Sequence, residues 1–437
     1  MKTLLFVILA GCGSKTTDDK DPSSGDDTDI LHINELLSAP CDGGTPPDNG
    51  APAGDDLHRV FLSDPEAVCN DGSPALVYVR AAENAEEANN WVFWVQGGGE
   101  CNDHAGCRAR WCGTDSKYEA DSMSSDWTLE TIKGKGILKR NSTNEFGGAN
   151  QVYMYYCSSD SWTGQRTDVI LTDETGELDA FRIDFNGRRI MEAVVEELAD
   201  GVTSDDGAET VPALTNAETV IFSGSSAGAS GITHNLDWVA EQFPASTNIS
   251  GVLDATLNPE SSTITNETVA AQWDARLLES FQQSELTRDP IRDQSCLDFH
   301  VGDPDACTTT HTRLNHITTK IFQRMALLDS HLVSHFQSLD PTVSPIDVGT
   351  WVQATMLMFP DLPTTAEDDV GVTPGAFGPG CAEHTALTND IWFFDATVED
   401  PSGTPRSFHD ALAFWLEGSG DIAIIDSVPP TISVCPD

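Results

Sequence analysis

A chain of 437 residues with 70 Asp and Glu against 23 Lys and Arg carries a formal charge of −47, which excludes nucleic acid and other polyanions as partners. Such acidity suits a salty or extracellular setting, where repulsion between charges is screened beyond about 8 Å. The length allows two average domains or one large α/β domain. With no internal linker and no repeat period, one domain over residues 36–437 is expected.

The N-terminus reads as an export signal over residues 1–11, with Lys2 followed by an apolar stretch from Thr3 to Ala10. Leu9-Ala10-Gly11-Cys12 is similar to a bacterial lipobox. Cleavage before Cys12 and lipid attachment to its thiol would anchor the mature chain to a membrane, placing it in the cell envelope, at the outer membrane or cell surface. Residues 12–35 are read as the anchored cysteine and a flexible acidic tether. Positions 13–30 hold six Asp against two Lys and almost nothing large and apolar, so they bury too little to offset the entropy of ordering. No later stretch approaches the roughly 18 apolar residues that cross a bilayer.

Eleven cysteines less Cys12 leave ten, an even number in an exported chain, and disulfides are the natural reading. Cys101, Cys107 and Cys112 form the one cluster, and they lack the tight Cys-x-x-Cys pairing of a zinc site. No metal and no cofactor is expected, and a monomer is.

Trp91-Val92-Phe93-Trp94-Val95-Gln96 is an aromatic and β-branched run that stops at Gly97-Gly98-Gly99, the pattern of a buried strand feeding a loop with exposed backbone. Val152 to Tyr156 reads as a second strand. Within Phe181 to Leu198, the residues Ile190, Val194, Val195 and Leu198 fall at helical spacing. Glu218 to Phe222 is a third strand, then Gly224-Ser225-Ser226-Ala227-Gly228 gives Gly-x-Ser-x-Gly. That is a nucleophile elbow, whose turn strains the serine backbone and brings neighbouring chain too close for a flanking Cβ. Val252-Leu253-Asp254 and Ile321 to Leu328 suggest later strand ends, and Phe408 to Leu416 a C-terminal helix with Leu412, Trp415 and Leu416 on its apolar stripe. Strand and helix alternate as in an α/β protein.

A serine hydroxyl needs an imidazole to take its proton and a carboxylate to orient that ring. Ser226 is the candidate nucleophile. His234 lies about two helical turns beyond it and is carried away from Oγ. His409 falls in the C-terminal helix. His384 follows Gly378-Pro379-Gly380-Cys381, a punctuated loop of the kind that carries catalytic groups. Asp329, after Met325 to Leu328, is the candidate acid, and Asp254, after Val252-Leu253, is the alternative. Backbone N–H groups of Gly98 or Gly99 and of Ala227 would form an oxyanion hole. No Gly-Lys-Ser/Thr follows the triple glycine, which sets aside a phosphate loop.

Several segments together resemble the pectin acetylesterase and Notum carboxylesterase family over roughly residues 70 to 416. They are Gln96 to Cys101 with Cys107, Tyr156-Cys157-Ser158-Ser159-Asp160-Ser161-Trp162-Thr163-Gly164, Phe185 to Ile190, Gly224 to Gly228, Leu328-Asp329-Ser330 and Cys381-Ala382-Glu383-His384. The resemblance implies an α/β-hydrolase fold with a mostly parallel central sheet flanked by helices. It also implies Ser226, Asp329 and His384 as a triad, and hydrolysis of carboxylic esters through an acyl-enzyme. Glu100 stands where the family usually has Trp, and Ala229 where it usually has Gly. Glu100 and Trp162 are expected to line the substrate site. Family members remove acetyl groups from pectin or a long acyl group from a secreted signalling protein. So acidic a chain repels polygalacturonate at low salt, which favours acyl esters, O-acetyl above all, on a neutral polysaccharide. Three rivals share the scaffold: a non-catalytic glycan-binding surface protein, a long-acyl or lipid esterase, and a serine peptidase.

Overall fold

In the computed structural model, the described residues are 40–41, 53–114, 120–359, 374–418 and 422–436. Cys12, the signal segment and the tether lie outside them. Among the described residues no helix is long and apolar enough to cross a membrane.

The main sheet has ten strands, which we number in chain order: β1 Ala53–Phe61, β2 Leu76–Arg80, β3 Asn90–Val95, β4 Thr131–Ile132, β5 Asn150–Met154, β6 Thr219–Ser225, β7 Asn248–Asp254, β8 Ile321–Arg324, β9 Gly375–Gly378 and β10 Ala423–Ile425. Their spatial order is β10-β9-β8-β7-β6-β3-β5-β2-β1-β4. The run from β10 to β5 is parallel, and β2, β1 and β4 join it antiparallel. This is the α/β-hydrolase fold.

Trp91 to Val95 are all buried, as a strand covered by helices on both faces requires. Phe93 meets Phe222 of β6 across the ladder at 5.3 Å between ring centroids. Among the helices are α1 His104–Trp111, α2 Gly187–Leu198, α3 Ala227–Glu241, α4 Glu267–Arg288, α5 Ser330–Leu339 and α6 Phe408–Leu416. The last coincides with the expected C-terminal helix, with Leu412 and Trp415 buried.

One stretch departs from expectation. Phe181–Phe185 is a strand paired antiparallel with Arg166–Leu171, and helix α2 starts only at Gly187. Phe181, Ile183 and Phe185 alternate with period two and bury into a satellite cluster with Cys101, Cys107 and Met123, so the helical stripe further on does not extend back over them. Within α2 the buried side is Ile190, Met191, Ala193, Val194 and Leu198, while Val195 is only half-buried.

Register places the functional loops. Gly224 sits between Val95 and Leu253, Ser225 faces Asp254, and Asp254 faces Arg324. The carboxyl ends of β3, β6, β7 and β8 thus finish at one edge, where α/β sheets bind their ligands. Five disulfides tie down the surrounding loops: Cys41–Cys112, Cys69–Cys157, Cys101–Cys107, Cys296–Cys307 and Cys381–Cys435. They account for all ten cysteines after Cys12.

Candidate active site

Ser226 lies between the end of β6 and the start of α3 with φ 53° and ψ −120°, a strained region for a residue with a Cβ. Its N–H donates to the Asp254 carbonyl at 2.8 Å, which pins the bend to the end of β7. The flanking glycines are forced by contact. A Cβ on Gly224 would stand 2.9 Å from the Gly228 carbonyl carbon, and one on Gly228 would collide with the Val95 carbonyl oxygen. Gly228→Ala is therefore expected to cost about 3 kcal/mol of folding stability, read by denaturant unfolding, because backbone yields less readily than a side chain.

His384 Nε2 lies 3.0 Å from Ser226 Oγ, and His384 Nδ1 lies 2.8 Å from Asp329 Oδ2. Asp329 is fully buried at the N-cap of α5, where its Oδ1 accepts the N–H groups of His331 and Leu332, each at 2.9 Å. Burial pushes this carboxyl up. The His384 bond and charge, the Leu332 N–H and the Arg324 charge outweigh it and hold Asp329 below the ordinary carboxylate value. Asp329 therefore stays ionised opposite the ring. The strand before it is shorter than the apolar run suggested, ending at Arg324, and a turn over Met325–Leu328 delivers the acid.

Asp254 sits elsewhere in the architecture. It is fully buried and bonded to Arg324 Nη1 at 3.0 Å, Ser225 Oγ at 2.9 Å, and the N–H groups of Ala386 and Leu387 at 2.7 and 3.1 Å. Arg324 in turn donates to the carbonyls of His384 at 2.6 Å and Glu383 at 3.1 Å. This ion pair clamps the His384 loop from below, with Cys381–Cys435 fastening its start. The sequence reading missed Arg324, because a cation inside an apolar strand segment announces itself only through its partners.

The Gly98 and Gly99 backbones take φ of 138° and 69°, which favour glycine. Their carbonyls are engaged, Gly98 by Arg110 Nη1 at 2.6 Å and Gly99 by the Tyr156 hydroxyl at 2.8 Å. Their N–H groups, and that of Ala227 at the first turn of α3, meet no acceptor among the described residues. A developing oxyanion above Ser226 would find donors there.

Trp162 does not face the substrate space. It is fully buried, stacks on Tyr156, and donates from Nε1 to the Gln96 carbonyl at 2.9 Å. The segment around it turns back through positive φ at Ser159, Ser161 and Trp162, wrapped around Asp160. The Asp160 carboxylate accepts Ser158 Oγ and the N–H groups of Trp162, Gly164 and Gly187. Trp162 thus supports the glycine loop from beneath. Glu100 does reach the cavity, accepting Ser161 Oγ at 2.5 Å and Arg288 Nη2 at 2.8 Å. Burial pushes its carboxyl up, but Arg288 and Ser161 hold it below the usual value.

Two cavities meet at Ser226 and His384. One, of about 560 Å³, runs past Trp94, Lys133, Lys135 and Tyr153. The other, of about 630 Å³, runs past Glu100, His234 and Arg288. His234 thus sits on the face of α3 along the second cavity rather than beside the hydroxyl. His409 packs among Phe146, Phe393 and Phe394. Among the described residues the one grouping with metal-ligand geometry is Cys296, His300 and His316, and Cys296 is spent in its disulfide.

The geometry is matched by kinship. The zebrafish palmitoleoyl-protein carboxylesterase notum1a is 24% identical over 383 residues, covering 86% of this chain and 68% of that one. The Drosophila melanogaster palmitoleoyl-protein carboxylesterase NOTUM is 32% identical over 188 residues, 42% of this chain and 25% of its own length. Arabidopsis thaliana pectin acetylesterase 11 is 30% identical over 190 residues, 43% of this chain and 42% of its own length. The crystal structure of the Wnt deacylase Notum from Drosophila superposes with a TM-score of 0.64 at 22% identity, over 85% of this chain and 96% of that one, and shares its fold. The pectinacetylesterase family model matches residues 53–436, wider than the likeness seen in the motifs, and the chain belongs to that family.

Proposed function

We propose that this protein is an exported serine carboxylesterase that removes acyl groups, O-acetyl among them, from a polysaccharide, with residues 36–437 as its single catalytic domain. Membership of a family whose relatives are named carboxylesterase and pectin acetylesterase supports ester hydrolysis. The observation that carries the reading is the unbroken chain from Ser226 Oγ through the His384 ring to Asp329, at 3.0 and 2.8 Å.

In this scheme His384 Nε2 takes the Ser226 proton as Oγ attacks the ester carbonyl. Asp329 holds the ring in the tautomer with Nδ1 protonated and stabilises the imidazolium. The N–H groups of Ala227 and of Gly98 or Gly99 bind the oxyanion. His384 then protonates the departing sugar oxygen, which leaves as the alcohol, and water, activated by the same ring, releases the acid from Ser226. Substrate, water and these side chains supply every proton and electron pair. Five disulfides fit an oxidising compartment. The Leu9-Ala10-Gly11-Cys12 segment supports a bacterial envelope lipoprotein held by Cys12.

The test is acetate release from a panel of acetylated neutral glycans, run beside p-nitrophenyl acetate and a peptide panel. Turnover of the nitrophenyl ester and of at least one glycan, with intact peptides, is the expected result. Peptide cleavage without ester turnover would overturn it.

A further inference from the structure

The cavity past Glu100 is unlike the surface around it. The chain has roughly three acidic groups for each basic one, yet this cavity is bordered by Arg276, Arg288 and Arg313 with Glu100 as its single carboxylate, so three positive charges face one negative. Arg288 is 5% exposed. Its Nη2 is taken by Glu100, while its buried Nε and Nη1 meet no acceptor among the described residues.

Arg313 is equally buried and its donors are all met, by the carbonyls of Cys307 and Thr308 and the hydroxyls of Thr233 and Thr310, with no carboxylate directly bonded among the described residues, so it adds charge to the cavity rather than an open donor. Asp293, whose charge acts on Arg313 from nearby, bonds Ser295 and the Cys296 N–H and does not border the cavity. Burial, then the charges of Arg313 and Arg288, hold the His234 imidazole well below its usual value, so that ring is neutral, with Nδ1 unpartnered. Leu257, Trp273, Leu277, Phe281 and Ile291 supply apolar wall to the same cavity, which Ser226 also borders.

Apolar wall next to the buried Arg288 guanidinium, whose Nε and Nη1 meet no acceptor among the described residues, fits a short aliphatic chain that ends in an anion. A buried donor left without an acceptor is costly, and a charge-assisted bond to a carboxylate removes that cost. We propose that this cavity receives an acyl group ending in a carboxylate, so that half-esters of dicarboxylic acids are favoured over neutral acyl esters. The inference rests on the esterase reading and deepens it. The net negative charge of the protein opposes a large polyanion at a distance, where salt screens it, but the local arginines decide inside the pocket. The acyl carbon transfers to Ser226 Oγ as the ester C–O bond breaks, and the alcohol leaves with the proton carried by His384. Water then splits the acyl–Ser226 bond, and the dicarboxylic acid departs.

The experiment compares kcat/KM of the full chain for p-nitrophenyl hemiglutarate and p-nitrophenyl valerate, which share length and leaving group and differ in the terminal charge. The hemiester should be favoured roughly 10- to 100-fold. In the E100Q/R288M double variant, which removes both partners so that no lone buried charge remains, the ratio should fall to about one. R288K should keep part of the preference. A wild-type ratio of one or less while valerate is turned over would overturn the proposal and leave the esterase reading standing. A preference that survives in the double variant would overturn it too. No turnover of either ester while p-nitrophenyl acetate is hydrolysed would overturn the proposal alone, and no turnover of all three would overturn the esterase reading with it.

Discussion

Ser226→Ala is expected to lower kcat for p-nitrophenyl acetate by about 10⁴-fold or more while changing unfolding free energy by less than about 1 kcal/mol. The oxygen it removes makes one bond, to His384 Nε2. The bend survives without it, because the Ser226 N–H still bonds the Asp254 carbonyl and an alanine Cβ occupies the same strained φ of 53°. Residual rate would come from oxyanion donors and binding. Parallel kinetics and thermal melts check the two halves of this result, and a variant that kept its rate would remove Ser226 from the chemistry.

The second large effect separates two buried aspartates. Asp329→Asn is expected to lower kcat on the order of 10³- to 10⁴-fold with little change in stability. An asparagine still caps α5, so the fold loses little, but it permits the wrong His384 tautomer and leaves the imidazolium unsupported. Asp254→Asn should do the reverse. It strands Arg324, fully buried beside it, at a cost of about 3–5 kcal/mol, read as a lower denaturant midpoint. Below its melting range that variant should lose less than about 100-fold in kcat, through slackening of the clamp on the His384 loop. If the two variants exchanged these phenotypes, the orienting carboxylate would be Asp254.

The candidate site was legible to the extent that its parts follow strands. Ser226, Asp329 and His384 each come directly after a run of apolar or glycine-punctuated residues, and a parallel sheet collects such positions at one edge. The β-rich runs at 91–96 and 218–222 read clearly because buried parallel strands are continuously apolar or β-branched, whereas three residues at 252–254 gave only the end of the strand Asn248–Asp254. Phe181–Phe185 was lost because five residues of period two were read together with the longer helical stripe of α2.

Trp162 was misplaced for another reason: an aromatic in a motif-rich loop looks available to ligand, and only its bond to the Gln96 carbonyl and its stack on Tyr156 reveal a buried prop. The Asp254–Arg324 clamp and the Glu100–Arg288 pair join residues 70 and 188 positions apart. Neither period nor spacing carries such pairings, so the electrostatics of the second cavity emerged only with the fold.

In the proposed scheme one activated hydroxyl, at residue 226, performs the chemistry. Labelling the full chain with a fluorophosphonate and mapping the modified peptide tests it most directly. Stoichiometric modification of the peptide containing Ser226, absent in Ser226→Ala and much slower in His384→Ala, is the predicted outcome. Modification of a different serine, or none in a folded protein, would contradict it.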